Sequence, residues 1–228
     1  MVKRCVFLDT ETTGLSPSQG HRIIEMGCVE MIDRELTGNH YHQYMQPDRA
    51  IDPGAQRVHG ITADFLADKP RFSEILDEWL AFIDGAQIII HNAPFDVGFM
   101  NSELGIASHA WTDFSASFDV LDTLKMAREK HPGQKNNLDA LCKRYAVNNT
   151  HRDLHGALLD SEILAQVYLA MIGGQRTFAF NPKAAINAEG EPVPQTIRNA
   201  DKAIVLKATA SEVTAHDAYL KGIEQENE

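Results

Sequence analysis

The chain has 228 residues, which gives room for one α/β domain of about 150 to 200 residues plus a smaller piece, but not for two equal domains. Its 43% apolar share is ordinary for a globular protein, no apolar run approaches a bilayer span, and Lys3-Arg4 precede too short an apolar stretch for a secretory signal, so a cytoplasmic location is expected. A net charge of −11 argues against a protein that grips nucleic acid by itself, and Cys5, Cys28 and Cys142, odd in number and without a CxxC pair, support neither a disulfide framework nor a thiolate zinc site.

Cys5 to Leu8 is apolar and β-prone, and a second strand is expected over Ile23 to Ile32. Thr37-Gly38-Asn39 then offers a turn to a third strand at His40 to Met45. Beyond Pro53 the apolar period lengthens. Phe72, Ile75, Leu76, Trp79, Leu80 and Ile83 recur at helical spacing up to Gly85. Ile88 to Ile90 follows as a short buried strand. Asn92 is a candidate cap for a helix with Pro94 in its first turn and Gly105 at its end. Phe118 to Leu121 is a candidate fifth strand, with helices near Thr123 to Lys130 and Leu138 to Tyr145. The last strong helix runs from Ala157 to Ile172, closed by Gly173-Gly174. Strands first, then strands interleaved with helices, predict an α/β protein with a mixed sheet flanked by helices. Asn181 to Gln195 has the composition of a linker. A strand at Ala203 to Leu206 and a polar helix at Glu212 to Gln225 are too little to form a core alone.

Chemistry concentrates at four places. Asp9 and Glu11 follow the first strand two residues apart, so both project from one face of extended chain. Either they mark a solvated strand end, or, with Thr12, Thr13 and Gly14 next to them, they face a phosphate or sugar. Asp160 lies four residues before Leu164, on the same helical stripe as Ala157, Val167, Tyr168 and Met171. A carboxylate on a core-facing stripe needs a cation: an Arg or Lys, or a metal ion. Asp96 stands in the first turn of its helix at apolar spacing from Phe99 and Met100, where the helix N-terminus is one explanation. Four carboxylates without thiolates suit Mg²⁺ or Mn²⁺ better than zinc. His155 precedes Asp160 by five residues, about 140° away if both were helical, so it belongs on the loop entering the helix. An imidazole is the side chain suited to take a proton from a metal-bound water at such a place.

These residues form three stretches: FLDTETTGL with Asp9 and Glu11, HNAPFD with Asp96, and HGALLD with His155 and Asp160. In order and internal spacing, over about 150 residues, they resemble the three motifs of the DEDD exonuclease superfamily in its histidine variant. VHGIT at Val58 to Thr62, NNLDALCKRY at Asn136 to Tyr145 and AQVYLAMIGGQ at Ala165 to Gln175 bring the chain closer to the proofreading subunits of bacterial replicative DNA polymerases. The resemblance implies a ribonuclease H-like fold with a five-stranded sheet and two-metal hydrolysis at a DNA 3′ end. It implies that Asp9 bridges two divalent cations, Mg²⁺ or Mn²⁺, that Glu11 and Asp160 hold the one serving the attacking water, and that Asp96 serves the other. His155 is then the general base. Thr10, Thr12, Thr13, Val58 and His59, beside Asp9, Glu11 and Asp160, would contact the terminal nucleotide. Gly54 stands where relatives commonly carry an acid.

The same resemblance divides the chain into an exonuclease domain over 1–174, a linker over 175–196 and a polymerase-binding tail over 197–228. Gln175, Phe178 and Phe180 are similar to the anchors of sliding-clamp-binding peptides. The implied partners are a DNA 3′ end, the polymerase catalytic (alpha) subunit, the clamp and a small theta-like accessory subunit. An RNA-trimming exonuclease with identical ligands, and a non-catalytic connector between polymerase and clamp, are the competing expectations.

Overall fold

In the computed structural model, residues 3–110, 112–150 and 154–173 and Ser211 are described. Five strands form one mixed sheet: β1 Arg4–Thr12, β2 Ile23–Ile32, β3 Glu35–Tyr44, β4 Gln87–Ile90 and β5 Val120–Asp122, in the order β3-β2-β1-β4-β5. β1, β2 and β3 pair antiparallel, while β4 and β5 run parallel to β1. The helices are α1 Pro53–His59, α2 Ala63–Leu66, α3 Phe72–Ile83, α4 Ala93–Ile106, α5 Phe114–Ser117, α6 Thr123–Lys130, α7 Leu138–Tyr145 and α8 Ala157–Met171. The mixed five-stranded sheet flanked by helices is the architecture expected from the sequence. None of the described helices is long and apolar enough to cross a membrane.

Alternation along β1 assigns its side chains to two covered faces. Val6 and Leu8 join Met26, Cys28, Ile88 and Ile90 beneath α3 and α4, where Trp79 stacks on Phe114 with centroids 5.6 Å apart. Cys5 and Phe7 turn the other way, against Leu164, Ala165 and Tyr168 of α8. Phe7 meets Tyr168 edge-on at 5.5 Å. Full burial of each such aromatic contributes about 2–3 kcal/mol relative to an exposed one. β3 is the edge strand, and of its ten residues Tyr41 is buried.

Several details differ from the sequence expectation: β1 runs past Leu8 to Thr12, so Asp9 and Glu11 lie within it, and α1, α2 and α5 are additional helices. β3 starts at Glu35, ahead of Gly38, because the turn from β2 lies at Asp33-Arg34, both with positive φ. β5 begins at Val120, since the Phe118 backbone N–H closes α5 on the Phe114 carbonyl. Asn92 stands at the start of α4 in a left-handed conformation (φ 70°) but makes no side-chain cap; its backbone N–H donates to Asp122 Oδ1. The linker 175–196, with Gln175, Phe178 and Phe180, and all of 197–228 except Ser211 lie outside the described residues.

Candidate active site

β1 outlasts its parallel neighbour. Its pairing with β4 covers Cys5 to Phe7, and β4 then turns through Asn92 into α4, so the end of β1 looks into open space. Crevices at the carboxyl ends of parallel strands, where neighbouring connections diverge, are the usual ligand sites of α/β sheets. Here the crevice is a cleft of about 560 Å³ lined by Asp9, Thr10, Glu11, Asp96, His155 and Asp160, among others.

The same alternation that sorts the core sorts the site. Asp9 and Glu11 continue the face of Cys5 and Phe7 and therefore meet α8. Glu11, His155 and Asp160 each offer a ligand atom, and these atoms lie within 4.8 Å of one another. His155 Nδ1 is 3.3 Å from Asp160 Oδ2. Thr10 continues the opposite face and donates its hydroxyl to Asp96 Oδ1 of α4 at 2.7 Å. Burial pushes the Asp96 carboxyl up to about 7, against the lowering effect of that hydrogen bond.

Two close fits place the helices. Gly27 faces Asp9 across the β1–β2 pair, and a side chain there would run into the backbone of Ala157 and Leu158. Its absence lets the first turn of α8 descend onto the sheet, where Ser161 Oγ donates to the Gly27 carbonyl at 2.9 Å. α4 is fixed by Glu103, buried to 1% exposure, which accepts from Arg22 Nε and Nη2 at 2.7 Å each and from the Ile23 backbone N–H at 3.1 Å. Glu103 escaped the sequence reading, although a carboxylate three residues after Met100 on an apolar stripe carries the same signal as Asp160.

The remaining expected contacts divide. The Thr12 hydroxyl donates to the Gly14 carbonyl, and Thr13 Oγ1 accepts from the Arg22 backbone N–H and meets His21 Nδ1, so both build the turn beside the cleft. Val58 is half-exposed, and its carbonyl accepts from the His155 backbone N–H at 3.1 Å. His59 is buried as the last residue of α1, with Nδ1 accepting from the Ile61 N–H, and burial lowers its pKa. Gly54 lies in the first turn of α1, exposed, with Arg57 as the nearest side chain. Arg128 and Gln134 also line the cleft and were not singled out in the sequence.

Four carboxylates from three elements, with no sulfur ligand among them, fit hard divalent cations held through oxygen. Residues 6–168 match the exonuclease family of ribonuclease T type. The chain is 48% identical to DNA polymerase III subunit epsilon of Escherichia coli (strain K12), covering 96% of this chain and 93% of that one. It is 49% identical to the subunit of that name from Pasteurella multocida (strain Pm70), over 95% and 88%. Exonuclease X in complex with 5′ overhanging duplex DNA superposes with a TM-score of 0.57 at 27% identity, over 82% of this chain and 97% of that one. The nuclease domain of 3′hExo, a DEDDh family member bound to rAMP, shares the fold with a TM-score of 0.64 at 19% identity, over 75% and 92%. The chain therefore belongs to the exonuclease family and, within it, to the epsilon subunits of bacterial DNA polymerase III.

Proposed function

We propose that the protein proofreads for the replicative polymerase, releasing nucleotides one at a time from mismatched DNA 3′ ends by hydrolysis in the cleft at the end of β1. The observation that carries this reading is the convergence of Glu11, Asp160 and His155 within 4.8 Å, beside Asp9 and Asp96. Asp9, Glu11, Asp96 and Asp160 would hold two divalent cations, Mg²⁺ or Mn²⁺. Such a pair stabilises charge on the attacking and leaving oxygens of an in-line phosphoryl displacement.

The protein's own groups supply position and proton transfer. His155, with Nδ1 3.3 Å from Asp160 Oδ2, would serve as the base that accepts a proton from the attacking water. The water oxygen bonds to phosphorus, the bond to the strand's 3′ oxygen breaks, that oxygen takes a proton from solvent, and the His155 imidazolium returns its proton to solvent. The products are a nucleoside 5′-monophosphate and a strand one residue shorter. Thr10, held between β1 and Asp96, is placed to fix that carboxylate for its role. Polymerase binding through 197–228, clamp binding through 175–180 and a theta-like accessory subunit complete the proposal.

The deciding assay follows release of a labelled 3′ mismatch with and without Mg²⁺, in wild type and Asp9→Ala. Wild type should release monophosphates only with the cation, and Asp9→Ala should lose about 10³-fold or more in rate. Retained activity in the variant would remove Asp9 from the site. A structured RNA 3′ end degraded faster than the DNA would favour the RNA-trimming reading.

A further inference from the structure

In a chain of net charge −11, the stretch from Thr123 to Tyr145 runs against the whole. It carries six Lys and Arg residues and two acids, a local charge of +4. This stretch forms α6, α7 and the loop between them, and one side of it walls the cleft through Arg128, Gln134 and Asn137. The loop is braced. Arg144 donates to Asn136 Oδ1 and to the Lys135 carbonyl, while the Asn136 amide donates to the carbonyls of His131 and Gln134.

Arg128 is the one Lys or Arg among the described residues lining the cleft, facing the carboxylates of Asp9, Glu11, Asp96, Asp139 and Asp160. It is exposed at the last turn of α6, and its guanidinium makes no hydrogen bond or ion pair with the described residues. A cation there also suits the C-terminal end of the helix. Stabilising that end, however, would not require it to reach the cleft wall. A guanidinium with five donors unclaimed at the rim of a nuclease cleft is suited to a phosphate oxygen.

We propose that the α6–α7 wall carries the single strand behind the terminal nucleotide, with Arg128 binding one of its upstream phosphodiesters. This rests on the exonuclease reading and adds a positioning residue to it. The scissile phosphate belongs to the carboxylate cluster; for the next links of the strand, the cation that the described lining offers is Arg128.

The test compares two substrates in Mg²⁺ with the full chain. The p-nitrophenyl ester of thymidine 5′-monophosphate has no upstream phosphate, whereas a ten-residue oligothymidylate has several. Arg128→Ala should raise KM for the oligonucleotide about tenfold with kcat within about twofold, a loss far larger than on the ester. The salt dependence of log kcat/KM on the oligonucleotide should become shallower by about 0.7, and Arg128→Lys should restore most of that slope. Melting temperature checks that the variant is folded. Equal losses on both substrates would assign Arg128 to the reaction centre and overturn the proposal. No loss on either would leave it a solvated helix end and overturn it equally. Wild type inactive on both would instead defeat the exonuclease reading.

Discussion

Asp96 is 3% exposed, and burial pushes its carboxyl up to about 7 when no cation offsets it. A carboxyl whose folded pKa lies above its unfolded value of about 3.9 contributes fully below that value and loses its contribution as pH rises through the folded pKa. Protein freed of divalent ions should therefore lose stability between about pH 4 and pH 7, on the order of 2–4 kcal/mol. Asp96→Asn keeps the acceptor for the Thr10 hydroxyl and removes the titration. In EDTA the variant should unfold at a higher urea concentration than wild type at pH 7.5, show a flatter pH dependence, and have lost its nuclease activity. Parallel pH profiles for the two proteins would show that Asp96 is not the group responsible. At this scale the burial of Asp160 was legible in the sequence, because one carboxylate on an otherwise apolar stripe stands out, and in the structure it is buried with His155 Nδ1 3.3 Å from Oδ2. Thr10 was named through the resemblance, but its bond to Asp96 spans 86 positions and no local pattern could announce it.

α8 reaches the site because β2 has no side chain at Gly27. Gly27→Ala would set a methyl group against the backbone of Ala157 and Leu158, and backbone cannot rotate aside. The helix must lift, taking Asp160 away from Glu11. The expected cost is roughly 1–3 kcal/mol of stability from overpacking, with a disproportionate fall in kcat because the acids no longer converge. Urea unfolding and initial rates on one sample separate the two effects, and a variant that loses stability while keeping kcat would show that the acids tolerate the shift. The long elements were legible because their patterns run far enough to register: α3 through its five buried apolar positions, β1 through the apolar run Cys5 to Leu8, and β2 through a longer mix of apolar and small residues. α1, α2 and α5 have four to seven residues, barely a turn or two, and a periodic signal cannot develop over that length. Asn92 misled for a related reason. Asparagine is favoured both as a cap and in left-handed backbone, and the latter is its role here.

At the scale of the molecule, the acidic balance that argued against unaided nucleic-acid binding is concentrated away from α6 and α7, and part of it is the carboxylate cluster itself. On the proposed function, grip on DNA would rest on divalent ions, on the α6–α7 wall and on the polymerase that presents the strand. Removing residues 196–228 should spare mismatch release and abolish co-purification with the catalytic subunit. A truncated chain that still co-purifies would place the polymerase contact on the nuclease domain. The architecture also orders the appearance of activity. Its carboxylates are drawn from β1, α4 and α8, at positions 9, 96 and 160. A ribosome reading from the first codon must therefore deliver almost the entire nuclease domain before the centre can close. An interrupted or half-emerged polypeptide has no competent blade, which spares the cell an unsupervised DNA-degrading fragment.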